Sequence, residues 1–164
     1  MPMNTGRSRS HRTWWRSRAA RGLAVVALAA GGVAASAQQS EALVGGAYTG
    51  SFSVSATTVR LGSTITATQS ATSLDTTQTP GINVGIRRVG FDVVGVVRPR
   101  TGICRIAGSA TCSFLLLAPH ETQSYTLTLT PTAVGTFPLS GWSDQPIAGG
   151  SGGTYQTINI TVTN

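Results

Sequence analysis

Beyond the first quarter of the chain there is a single histidine, His120, and it stands beside a carboxylate, Glu121. A nucleophilic triad needs such a histidine within hydrogen-bond reach of a serine or cysteine and of an orienting carboxylate. Serines are abundant, but no G-x-S-x-G elbow or comparable motif presents one. A solvated turn residue is the better reading of His120. Asp75, Asp92, Glu121 and Asp144 are scattered singly, so no pair is signalled for glycoside hydrolysis. Cys104 and Cys112 are the only cysteines, and in an oxidising compartment they are expected to close a disulfide. Two free thiols or half of a metal site is the alternative, but with only His120 beside them there are too few soft ligands for a tetrahedral structural zinc. No catalytic residue, cofactor or metal ion is therefore expected.

Binding chemistry is better represented. Arg87, Arg88, Arg98, Arg100 and Arg105 fall within nineteen positions. They could make one basic patch for an acidic glycan, a teichoic-type polymer or a protein partner. The blander reading is that they solvate turns and guard an edge strand. Trp142, Tyr48 and Tyr155 could stack on sugar rings, although a tryptophan in a β-sandwich is more often a core plug. Asn159-Ile160-Thr161 matches a glycosylation sequon but falls within an expected strand.

The first quarter has its own composition. Arg7, Arg9, Arg12, Arg16, Arg18 and Arg21 precede the apolar run Leu23 to Ala35, which closes on Ala35-Ser36-Ala37. A basic stretch, an apolar stretch and small residues at a cleavage point make a signal-peptide layout over residues 1–37, and hence a secreted, extracellular protein. The run is short and interrupted by Gly31 and Gly32, whereas spanning a bilayer core of roughly 30 Å takes about 20 apolar residues. No stable membrane insertion is expected after cleavage; an uncleaved anchor is the competing reading. Without residues 1–37 the net charge falls from +7 to +1, six arginines against five carboxylates. A nearly neutral domain has no general attraction for phosphate backbones, so nucleic acid is not an expected partner.

Residues 38–47 read as a flexible lead-in to one domain over 48–164. No lysine and no helical period follow, and Ser, Thr, Gly, Val and Ala dominate, which is a β composition. Phe52, Val54 and Ala56 alternate with serines as a first strand, and Val59 to Gln69 reads as a second. Thr72 to Gly81 reads as a loop ending in Pro-Gly. Ile82, Val84 and Ile86 hold one parity and Val89, Phe91 and Val93 the other, so a hairpin turn or bulge is expected at Arg87-Arg88. Arg98 to Gly102 breaks the run, and Gly108 marks the turn of a hairpin stapled by the two cysteines, worth roughly 2 to 3 kcal/mol. Tyr125, Leu127 and Leu129 alternate with Ser124, Thr126, Thr128 and Thr130 until Pro131 ends the strand. Phe137, Leu139 and Gly141 share a face in the next, where Pro138 suggests an edge. Gly149 to Gly153 is a flexible loop, and Ile158, Ile160 and Val162 alternate in the last strand. About seven or eight short strands without helices make an antiparallel β-sandwich, and the 127 residues after position 37 can bury roughly two thirds of their surface in one core.

The run Thr111 to Gly135, TCSFLLLAPHETQSYTLTLTPTAVG, resembles a bacterial conserved-repeat family known as domain of unknown function 11. The likeness lies in Cys112, the Leu117-Ala118-Pro119 turn, the polar alternation Tyr125 to Thr130, Pro131-Thr132 and Gly135-Thr136. Val59 to Thr66 is similar to that family's early strand. The resemblance implies an immunoglobulin-like β-sandwich on a secreted or surface protein and implies no activity. The function expected first is a non-enzymatic structural or adhesive interaction module at the cell exterior, with an unknown protein or a cell-envelope glycan as partner. A polysaccharide-binding module using the arginines and Trp142 is the second reading, and a secreted hydrolase whose residues converge only in three dimensions is the third.

Overall fold

The computed structural model describes residues 38–39, 43–45, 47–146 and 153–164. The expected signal peptide, 1–37, and most of the Gly149 to Gly153 loop lie outside them. The described chain is a β-sandwich of two sheets. Its strands are β1 (Gln38–Gln39), β2 (Leu43–Gly45), β3 (Tyr48–Val54), β4 (Thr58–Arg60), β5 (Ile65–Ser73), β6 (Thr79–Arg88), β7 (Phe91–Val97), β8 (Ile103–Arg105), β9 (Ala110–Leu117), β10 (Thr122–Pro131), β11 (Gly135–Asp144) and β12 (Thr154–Thr163). The first sheet runs β1-β3-β5-β10-β7, with β2 also on β3, and the second runs β4-β12-β11-β6-β9-β8. All pairs are antiparallel except β4 on β12. The strands outnumber the seven or eight expected because two- and three-residue segments are too short to show a period. Two of them, β1 and β2, lie against β3 within the stretch read as a lead-in.

Period-two patterning builds the core. Phe52, Ile65, Ala67, Tyr125, Leu127 and Leu129 from the first sheet meet Ile82, Val84, Ile86, Phe114, Leu139 and Ile160 from the second. Each large side chain so buried stabilises the fold by about 1.5–3 kcal/mol. The threonines and serines between them face outward, where facing hydroxyls bond across strands: Thr68 with Thr126 at 2.9 Å, Thr72 with Thr122 at 2.7 Å and Ser51 with Ser70 at 2.7 Å. Cross-strand pairs of this kind explain how so hydroxyl-rich a sequence sustains a sheet.

Several sequence expectations change. Val59 to Gln69 is two strands in different sheets, divided at Leu61–Thr64, where the Ser63 amide donates to Arg60 O at 3.0 Å. The loop expected over Thr72 to Gly81 shrinks, since β5 runs to Ser73 and β6 starts at Thr79; Pro80 is accommodated because β6 has only β9 beside it there. Arg87 and Arg88 are the last residues of β6 rather than a turn. The change of parity occurs at Val89-Gly90, where the chain crosses between sheets and Gly90 takes φ 77, a conformation open to glycine. Pro138 is not on an edge strand, for β11 lies between β12 and β6; pairing with β6 begins only at Leu139, so at Pro138 the strand has one neighbour. On β7, Thr128 pairs with Gly95 and Leu129 with Val93, which leaves Val94 as the extra residue of a bulge.

The stapled hairpin forms as expected. Cys104 and Cys112 are disulfide-bonded directly across β8 and β9, and the turn between them includes Gly108 at φ 72. Replacing both cysteines with serine is expected to cost roughly 2.5 kcal/mol by the loop-entropy argument, read as a lower urea midpoint.

Candidate functional site

His120 sits exposed at φ 58, the left-handed conformation of a tight turn. The turn is closed by Glu121, whose amide donates to Ala118 O at 3.0 Å while its Oε2 accepts from the Ala118 amide at 2.8 Å. That backbone bond, and then the Gln123 amide group, hold the Glu121 carboxyl below its ordinary range. Both residues thus have structural employment. Asp75 lies between β5 and β6, Asp92 on β7 and Asp144 at the end of β11, so the carboxylates remain dispersed. Among the described residues no three His, Cys, Asp or Glu side chains gather in a way that could hold a metal ion.

The arginines do not form one patch. Arg88 points the opposite way from Arg87 and donates from Nη1 to Gly108 O at 2.6 Å, tying the end of β6 to the stapled turn. Arg98 and Arg100 lie in the β7–β8 connection, along a shallow cleft with Pro99, Glu121, Thr122, Gln123 and Ser124. Gln123 fixes that connection, donating from Nε2 to Thr101 Oγ1 at 2.7 Å and to Glu121 Oε1 at 2.9 Å. Arg87 and Arg105 are left on the outer face of the second sheet. Between Arg88 and Arg98 the chain passes through β7 of the other sheet, so neighbours in sequence separate in space, and Arg105 lies on β8, the outermost strand of the second sheet.

The aromatics divide too. Tyr48 is fully buried, where desolvation raises its phenol pKa, so it is core and unavailable for stacking. Trp142 is not a core plug: it is half-buried on the outside of β11 with its indole laid over Gly85, where a Cβ would overlap the ring. Tyr155 is 56% exposed.

Register then assembles what chain order separates. Arg105 lies opposite Thr111, Thr111 opposite Gly85, Gly85 opposite Trp142, and Trp142 opposite Tyr155. Directly opposed residues share a face, so this is one row crossing five strands, about 19 Å at the usual strand spacing. The next row holds Arg87, Ser140 and Thr157. Ser140 and Thr157 hydroxyls bond at 2.8 Å, and the Tyr155 phenol reaches over to both and to Arg87. Ser140 first, then Thr157, then the Arg87 guanidinium draw that phenol below its ordinary pKa, all favouring the phenolate. Arg87, Val89, Pro138, Ser140, Tyr155 and Thr157 line a cleft of about 190 Å³. Tyr155 was named in the sequence only as a stacking residue; its meeting with Arg87 depends on the order β12-β11-β6, which no local signal reveals.

No protein-family model matches the chain, and no curated protein matches it. Among solved structures, it is similar to the cohesin module of a family 33 glycoside hydrolase from Clostridium perfringens, at 9% identity and a TM-score of 0.48, over 65% of this chain and 90% of that one. It is also similar to the CARDB domain of a Pyrococcus furiosus protein, solved in complex with di-metal ions, at 15% identity and a TM-score of 0.41, over 65% of this chain and 84% of that one. At these identities the likeness concerns the course of the chain and transfers no site.

Proposed function

We propose that this chain is a secreted, non-enzymatic β-sandwich that serves at the cell exterior as a structural or adhesive interaction module, with the outer face of the second sheet as its contact surface. The observation that carries the reading is the row Arg105, Thr111, Gly85, Trp142 and Tyr155. It is carried by five paired strands and joins aromatic rings to an arginine, residue types that contact surfaces favour. The basic and apolar layout of residues 1–37 supports export, and the Cys104–Cys112 disulfide suits an oxidising compartment. Within the same reading the Thr111 to Gly135 run marks kinship with the conserved-repeat family it resembles.

The test is adhesion of the full chain to purified bacterial cell envelope. Trp142→Ala is expected to weaken retention by about tenfold or more, since aromatic anchors dominate such contacts. Unchanged retention in that variant, or a hydrolase activity that disappears with His120→Ala, would overturn the proposal.

A further inference from the structure

The cleft beside Tyr155 carries a narrower reading that rests on the one above. We propose that it binds one acidic sugar unit of an envelope polysaccharide, a uronate, with Arg87 taking the carboxylate and the Tyr155 and Pro138 rings taking the apolar face of the sugar.

The size comes first. At about 190 Å³ the cleft is smaller than the roughly 300–1,000 Å³ of pockets that enclose drug-sized ligands, so it suits a single ring along a chain whose neighbours stay in solvent. Its lining is divided as a sugar requires. Pro138, Val89 and the Tyr155 ring give an apolar wall, while Ser140, Thr157 and the Tyr155 phenol give hydroxyls that both donate and accept. The hydroxyls already bond one another across β11 and β12, so they are held in place before a ligand arrives.

Charge selects the acid. Arg87 is exposed at the cleft, and a guanidinium presents a planar fork that matches a carboxylate through two parallel hydrogen bonds. Asp144, the carboxylate of the described residues on the same face, is two rows away along β11, about 13 Å at the strand rise, and so does not neutralise it. Arg87, Ser140 and Thr157 bring their donors to the same cleft, the condition an incoming anion needs. Arg105 at the far end of the aromatic row adds a second cation for the next acidic unit of a repeating chain.

The probes are methyl glucuronide and methyl glucoside, titrated calorimetrically into the full chain at low salt, with envelope adhesion measured in parallel. The uronate is expected to bind at least tenfold more tightly than the neutral sugar, and to lose that preference in Arg87→Gln. Tyr155→Phe, which keeps the ring, is expected to weaken both sugars by less than Arg87→Gln weakens the uronate. Arg60→Gln, away from the cleft, is expected to change neither. Equal binding of the two sugars, or a preference that survives Arg87→Gln, overturns the acidic-sugar inference. If neither sugar binds while the envelope is still retained through Trp142, this inference falls and the interaction-module reading stands. If neither sugar nor envelope binds, both fall.

Discussion

Phe52→Ala is expected to lower the unfolding free energy by about 3–5 kcal/mol, the usual cost of emptying a buried phenylalanine site. Phe52 is fully buried on β3, and its ring lies against Gly141 of β11, so it bridges the two sheets. Collapse around the void is limited, because β3 is clamped by β5 on one side and β1 and β2 on the other. The Phe52 amide also donates to Gln156 Oε1 at 2.9 Å, joining β3 to the second sheet. A domain of this size has roughly 5–15 kcal/mol in total, so the variant loses a large share of it. Urea denaturation followed by far-ultraviolet circular dichroism reads the loss directly; a change below about 1 kcal/mol contradicts the assignment of Phe52 to the core.

The second large effect comes from the opposite substitution at the same place. Gly141→Val is expected to cost about 3 kcal/mol or more, because a Cβ there overlaps both Gln69 Oε1 and the Phe52 ring. Overpacking usually costs 1–3 kcal/mol, and a branched side chain meeting two buried neighbours belongs at or beyond the upper end. Since the valine would occupy space that Phe52→Ala vacates, the double variant is expected to be more stable than the sum of the single losses implies. Additive losses in a double-mutant cycle would show that the two residues do not share that space.

These contacts mark the limit of what the sequence displayed. The strands around Tyr125, Leu127, Leu129 and around Ile158, Ile160, Val162 were legible because these apolar residues alternate with polar ones along one buried face. The Cys104–Cys112 staple was legible because no other cysteine competes. The crossing at Val89-Gly90 left only a change of parity, which a turn, a bulge and a change of sheet all produce alike. Pro138 pointed to an edge because a proline lacks the amide that a two-sided strand uses, and only the early end of β6 shows why an internal strand tolerates it. The candidate site was the least legible part. Tyr155 and Trp142 lie opposite each other through register, and Arg87 joins them through strand order; neither property is written in local spacing.

Val94 bears on how two copies of this domain can meet. An ordinary outermost strand offers a straight row of amides and carbonyls to any passing copy, and hydrophobic side chains such as Val94 and Val97, at 59% and 63% exposure, would reward the encounter. The extra residue at Val94 throws that row out of step midway along β7, so a second β7 meets it in register over half its length at most. Pairing between two copies through β7 is therefore cut short, and the outer face of the second sheet is left as the broader surface on which another molecule can settle.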